Sequence, residues 1–403
     1  MNKNTIVFFS LSEYDNLGIG YMASVLEMEG FKTVIMDFRD EKPDFLKDVK
    51  NLDPLVIGFS IIFLNYIKQF SDLVNALREN GINCHFTAGG HYASLRHEEL
   101  FQTLPQLDSI IMFEGEYPML ELARCLQNDA DWKKVKSLAF RENGKIISNP
   151  LFQPENNLDK FPFPKRSQIK EYAFGKKFTV IIAGRGCVHN CSFCNTRVFY
   201  RRAKGPLKRI RKPELVVDEI SSLVQEKDCS IFIFHDDDFP VKSNDQPGWL
   251  VRFCGELEQR ELSNKILWKI NCRSDDIGEK TFSMMKKNGL YLVFLGLEDG
   301  TNHGLKSLNK QLTVSENIKA INILKKLDIG FDYGFMLFQP STTFTSLKEN
   351  IDFLEMVCGD GYTPVSFLRL LRYMKQGLKK NLRKKEGLYL PTGFRIMSFW
   401  KNQ

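Results

Sequence analysis

Strand-like and helix-like segments alternate in two series along this chain, and a proline-rich stretch separates them. In the first series TIVFFSL, KTVIMDF and DPLVIGFSII read as strands, while LGIGYMASVLEMEG and YIKQFSDLVNALRENG read as helices that stop at glycine. NCHFTAGGHY, LDSIIMFEG and PMLELARCLQ continue the pattern. Such alternation predicts an α/β, doubly wound Rossmann-like parallel sheet with helices on both faces, which binds ligands beyond the carboxyl ends of its strands. VKSLAFRENGKIISNP predicts a hairpin turning at Asn143 and Gly144, and LFQPENNLDKFPFPKRSQ a linker. The second series starts at FTVIIAGRG. It offers five strands and a sixth near VSFLRLL, the count of a partial α/β barrel. The expected layout is a first domain over 1–140, hairpin and linker over 141–175, a partial (β/α)6 barrel over 176–370 and a short basic extension over 371–403.

The 403 residues are 43% hydrophobic and 26% charged, an ordinary balance for a globular protein. No apolar run has the length of a transmembrane helix, and the first residues read as a strand rather than a signal peptide, so the expected compartment is the cytoplasm. The net charge of +7 permits an anionic substrate or peptide and gives no specific sign of nucleic acid. Much of it sits in the tail at Lys375, Lys379, Lys380, Arg383, Lys384 and Lys385. That tail suits a solvated helix face or a docking surface for an anionic partner or membrane.

Nine cysteines are present, and three of them, Cys187, Cys191 and Cys194, fall in GRGCVHNCSFCNTR. The odd total and uneven spacing argue against a disulfide framework. Three thiolates from one tight loop can hold three irons of a cuboidal cluster and leave the fourth iron open to a small ligand. A zinc site would want four closed ligands, and His189 lies too close in the same loop to supply the fourth without strain. Gly184 and Gly186 let the backbone turn around a bulky group.

C-x3-C-x2-C with an aromatic, Phe193, before the last cysteine and a place after the first barrel strand resembles the radical S-adenosylmethionine (SAM) signature. The resemblance implies a 4Fe-4S cluster on Cys187, Cys191 and Cys194 whose unique iron chelates SAM. One electron then cleaves SAM to a 5'-deoxyadenosyl radical that abstracts hydrogen from the substrate. IFIFHDDDF resembles the family's acidic second-strand motif and implies that Asp236, Asp237 and Asp238 help to seat SAM. Alone, these aspartates would equally suit a solvated turn or a divalent-ion site. LGLEDG resembles the G-x-E strand end, with Gly296 and Glu298 near ribose or substrate. NCRSDD offers Arg273 and Asp275 at another strand end. Arg273 suits the SAM carboxylate, and a surface salt bridge suits it nearly as well. YGFMLFQPSTTFTSLKEN resembles the segment that packs beside adenine.

The first 140 residues resemble the cobalamin-binding domain that precedes many radical SAM barrels, through NLGIGYMASVLEMEGF, VIGFSIIFLN, TAGGHYAS and FEGEYPMLEL. The resemblance implies cobalamin near Ser60, Gly89, Gly90 and His91, whose small residues admit backbone amides to an anionic nucleotide tail. Close strand-to-helix turns explain the glycines equally well. The D-x-H-x-x-G motif of a lower axial histidine is missing, as it often is in this group. SEYDNLGIG is a poor match to a dinucleotide loop.

The resemblance implies methyl transfer to an unactivated carbon, or to phosphorus. The alternatives are rearrangement, oxidation or cyclisation with a first domain that binds no cobalamin, and a non-catalytic cofactor-binding scaffold or sensor. It also implies a reductant such as flavodoxin or ferredoxin, and a small-molecule, peptide or carrier-bound substrate. Gly377 is followed by Leu378 where relatives often have glycine-threonine-proline, and the short remainder suggests a more open site.

Overall fold

The computed structural model describes residues 3–11, 15–37, 45–166, 169–171, 175–242, 248–339, 341–359 and 368–369. The basic tail and the Gly377 turn lie outside the described residues.

The first series forms β1 (Thr5–Ser10), α1 (Leu17–Met28), β2 (Lys32–Asp37), α2 (Phe45–Leu52), β3 (Val56–Ser60), α3 (Ile67–Glu79), β4 (His85–Gly89), α4 (His91–Leu95), α5 (His97–Thr103), β5 (Ser109–Ile111) and α6 (Glu116–Gln127). The strand order is β2-β1-β3-β4-β5, all parallel. Both faces of β1 are covered. Ile6 and Phe8 pack with α1 and α6, while Val7 and Phe9 pack with α3. This two-sided burial explains why the strands read as continuous apolar runs rather than as alternating ones. The hairpin, β6 (Leu138–Glu142) and β7 (Lys145–Ser148), turns at Asn143 (φ 50°) and Gly144 (φ 75°). It adds antiparallel to the edge at β5, so it extends the first sheet.

The second series contains β8 (Lys170–Glu171), β9 (Lys177–Ile181), β10 (Gly184–Gly186), α7 (Thr196–Arg202), β11 (Lys208–Ile210), α8 (Pro213–Lys227), β12 (Cys229–Phe234), α9 (Trp249–Gln259) and β13 (Leu267–Cys272). It continues with α10 (Glu279–Lys287), β14 (Leu290–Glu298), α11 (Asn302–Ser307), α12 (Val314–Lys326), β15 (Gly330–Phe338), α13 (Phe344–Cys358) and β16 (Leu368–Arg369). The order β9-β12-β13-β14-β15-β16 is parallel throughout, with β8 antiparallel at one edge. The sixth strand expected near VSFLRLL is β16. Val293, Leu295 and Leu297 of β14 join the helices' core, whereas Leu292, Phe294 and Gly296 on the other face are only half-buried. Helix starts follow local chemistry: Thr313 and Glu316 form a capping box for α12, and Pro213 occupies the first turn of α8.

β10 and β11 pair antiparallel across the top of the first barrel strand. This small ribbon was not legible in the strand pattern, and it carries the cysteine loop. No helix among the described residues is long and apolar enough to cross a membrane.

Candidate cofactor sites at the domain junction

The cysteine loop leaves β10 and ends where Asn195 starts α7. Gly186, at φ +88°, is the residue before Cys187, and a Cβ there would collide with the Leu207 carbonyl of the paired strand. The loop is stitched down on its far side. The Ser192 amide donates to the Leu308 carbonyl at 2.9 Å, and Asn309 Nδ2 donates to the Asn190 carbonyl at 2.6 Å. All three cysteines are free and half-buried. Burial, with the Asp238 carboxylate nearby, pushes the Cys187 thiol up to about 11, while the His189 amide favours its thiolate. Burial also raises Cys191, against Lys310 and Arg273.

Among the described residues no three His, Cys, Asp or Glu side chains converge on one ion. Thiolates of a cuboidal cluster each serve a different iron, so the donor set here still fits one. The three thiols share one loop, and two cations, Lys310 and Arg273, approach Cys191. Burial and the approach of Arg273 lower the pKa of His189.

The three aspartates have separate partners. Asp236 is buried and accepts the Ala183 and Gly184 amides at 3.0 and 2.6 Å. Burial nevertheless lifts its carboxyl to about 7. Asp237 accepts the Gly186 amide and the Thr196 hydroxyl, both at 3.1 Å, and so spans the cysteine loop. Asp238 pairs with Lys208 at 2.7 Å.

Arg273, Asp275, Gly296 and Glu298 gather beside the cysteines. Arg273 directs Nη1 to Cys191 Sγ at 3.9 Å, Nη2 to the Lys310 carbonyl at 2.8 Å and Nε to Asp275 at 2.9 Å. Lys310 Nζ bonds Glu298 Oε1 at 3.1 Å and stands 6.0 Å from the centre of the Phe193 ring. A Cβ on Gly296 would lie 2.6 Å from Lys310 Nζ, so the glycine makes room for the pair. Glu298 holds φ at +65° beside a register shift in β14, a strained position for a non-glycine residue. The sequence reading missed Lys310. Its only local sign is a basic residue shortly after the G-x-E segment.

Ser60, Gly89, Gly90 and His91 line one cavity of about 590 Å³ together with Asp237 and Phe199 from the second half. Gly90, at φ +104°, lies so close to Ile61 that a Cβ would approach its carbonyl to 2.9 Å. Ser60 Oγ accepts Asn16 Nδ2 at 3.1 Å. His91 stacks on Phe199, and burial lowers its pKa. Tyr21 Oη, in the same wall, is buried without a hydrogen-bond partner, and burial pushes its phenol up to about 12. A cavity of this volume, walled on one side by Ser60, Gly89 and Gly90, has room for a bulky group.

Buried charges close the junction. Arg185 Nη2 binds Glu116 at 2.7 Å, and Arg185 Nη1 lies 3.5 Å from Glu114. Arg209 also clasps Glu114 and donates to the Glu155 carbonyl at 2.6 Å. In the linker Arg166 pairs with Glu219 and donates to the Val180 carbonyl at 2.6 Å.

Comparison with known proteins accounts for this arrangement. The B12 binding domain model matches residues 5–123, and the radical SAM superfamily model matches residues 181–374. The chain belongs to the radical SAM superfamily and carries an N-terminal B12-binding-like domain. It is 29% identical over 347 residues to an anaerobic magnesium-protoporphyrin IX monomethyl ester cyclase of Rubrivivax gelatinosus, covering 82% of this chain and 60% of that one. It is 25% identical over 343 residues to an uncharacterized methyltransferase of Pyrococcus horikoshii, covering 84% and 72%. The cobalamin-dependent SAM radical enzyme OxsB with aqua-cobalamin bound superimposes with a TM-score of 0.73 at 23% identity, over 88% of this chain and 52% of OxsB. The chain thus spans about three fifths of the first relative and half of OxsB.

Proposed function

We propose that this chain is a cobalamin-dependent radical SAM enzyme that transfers a methyl group to an unactivated carbon or phosphorus. The observation that carries the reading is the shared cavity. His91, which follows the glycine turn of the first domain, lies on Phe199, which follows the cysteines by five positions. The glycine turn of the first domain and the helix that follows the cysteines therefore wall one cavity.

When bound, the cluster and SAM supply the electron and the radical, and cobalamin supplies the methyl carrier. Cys187, Cys191 and Cys194 would hold the cluster. Lys310 and Arg273 provide two cations for a SAM carboxylate, and Glu298 provides an acceptor for hydroxyl groups. Asp237 keeps the cysteine loop and α7 in one orientation through Gly186 and Thr196. Asp236 fixes the strand end below them. Apolar walls such as Phe8, Ile182 and Phe199 exclude water from the junction. The methyltransferase name of the Pyrococcus relative and the cobalamin in OxsB support this reading.

The test is anaerobic reconstitution with iron, sulfide and hydroxocobalamin, followed by cobalt and iron counts and assay with methyl-labelled SAM. Near-stoichiometric cobalt, with label leaving SAM, is expected. Iron without cobalt would select an enzyme that uses the 5'-deoxyadenosyl radical alone. Neither metal bound would leave a scaffold.

A further inference from the structure

Consecutive residues from Ser307 to Lys310 all bond to the candidate site. The Ser307 carbonyl accepts the Ser192 hydroxyl at 3.3 Å, and the Leu308 carbonyl accepts the Ser192 amide at 2.9 Å. Asn309 Nδ2 donates to the Asn190 carbonyl at 2.6 Å. Lys310 offers its carbonyl to Arg273 Nη2 at 2.8 Å and its Nζ to Glu298 at 3.1 Å. Asn190 and Ser192 flank Cys191, so the turn grips the cysteine loop on both sides of that thiol. The same turn delivers Lys310 and steadies Arg273.

Local chemistry makes this turn rigid. It ends α11 in a Schellman motif. The Lys310 amide donates to the Leu305 carbonyl at 2.9 Å and the Asn309 amide to the Lys306 carbonyl at 3.0 Å, with Asn309 left-handed at φ +50°. Glycine is the usual residue at that position, and asparagine tolerates its backbone. What asparagine adds here is a side-chain amide that reaches Asn190. α11 is also pinned at both ends. Thr301, its cap, donates from its amide and its hydroxyl to Asp299, each at 2.8 Å. Gln339, just past β15, donates to Asp299 at 2.6 Å and accepts the Ser307 hydroxyl at 3.2 Å.

We infer that Asn309 is a positioning residue that locks the cysteine loop to the turn carrying Lys310, so that the thiols and the carboxylate-binding cations are held as one unit. What the two halves bind rests on the function reading above. The link is reciprocal: a looser loop loosens the Lys310 turn, and an anion held at Lys310 steadies the loop around Cys191. A bond that served only to fold the loop would carry no such link.

The test compares the full chain with N309G, which keeps the left-handed backbone, and N309D, which keeps the side-chain shape. Neither glycine nor an ionised aspartate can donate to Asn190. Hydrogen exchange before reconstitution reads the loop. The Ser192 amide and its neighbours should exchange about two- to tenfold faster in both variants, the worth of one lost hydrogen bond, while the barrel strands stay protected as in wild type. Reconstituted protein is then titrated with S-adenosylhomocysteine, which keeps the amino-acid end of SAM and has no sulfonium to cleave. Its affinity, read from the change it causes in the electron paramagnetic resonance signal of the dithionite-reduced cluster, should fall by a similar factor at equal iron per chain. Wild-type exchange in both variants would overturn the clamp. An effect in one variant alone would trace to the freedom of glycine or the charge of aspartate, and would overturn it too. Faster exchange at unchanged affinity would overturn the positioning role and leave a folding tie. A wild-type chain that takes up no iron would overturn the function reading and the ligand half with it, and exchange would still decide whether Asn309 holds the loop.

Discussion

The imidazole of His91 lies 4.2 Å from the Phe199 ring, centre to centre, with 27° between the planes. One ring belongs to the glycine turn after β4, and the other to the helix after the cysteines. A ring pair of this kind contributes about 0.5–1.5 kcal/mol beyond its buried area. His91→Ala should therefore weaken cobalamin binding by up to roughly tenfold while leaving the iron content unchanged. Equilibrium dialysis with hydroxocobalamin, beside an iron assay, checks both halves of the statement.

Lys310 and Glu298 predict a separate effect on SAM. Lys310→Met removes a cation that stands beside Cys191 and Phe193, and SAM affinity should drop by about tenfold or more. The same change strands the Glu298 carboxylate, at a cost of about 3–5 kcal/mol if it stays charged. The double variant K310M/E298Q relieves that cost. It should regain thermal stability without regaining SAM affinity in calorimetric titration.

Gly186→Ala places a side chain at φ +88° against the Leu207 carbonyl. Strain of about 1–3 kcal/mol should fall on the ribbon that carries Cys187. Reconstituted iron per chain is expected to fall while the far-ultraviolet circular dichroism stays as in wild type. Full iron loading would mean that the ribbon does not set the cysteine geometry.

Arg185→Ala opens the junction. It leaves the Glu116 carboxylate, only 5% exposed, without its cation. The expected loss is about 3–5 kcal/mol, read in denaturant unfolding. Fluorescence and circular dichroism should then report separate transitions for the two halves, where the wild type gives one.

His85 predicts a pH dependence in the first domain. Its Nε2 sits 2.8 Å from Ser109 Oγ, its ring meets Trp132 edge-on, and burial lowers its pKa from 6.5 to about 4. The folded state therefore prefers the neutral ring, and the unfolded chain takes up the proton first. Stability from this group is complete above pH 6.5 and is lost as pH falls toward about 4. Chemical denaturation across that window should show the slope in wild type. The slope should be shallower in His85→Gln.

The alternation of segments was enough to read both sheets, because each strand buried on two sides leaves an uninterrupted apolar run. The hairpin was legible from Asn143 and Gly144, which both need positive φ. The cysteine loop was legible from spacing alone. Lys310, Arg185 and Glu116 were not, since their meaning comes from partners many positions away, and local periodicity does not encode such pairings. Asp236, Asp237 and Asp238 show the converse. Consecutive in sequence, they read as one acidic patch, yet neighbouring side chains at a strand end diverge, and each found a different partner.

Arg185 stands two residues before Cys187, and its guanidinium is held by carboxylates of the first domain. The position of the cysteine loop is thus partly written in the other half of the chain. A chimaera that grafts this barrel onto a foreign first domain would have to carry Glu114 and Glu116 with it.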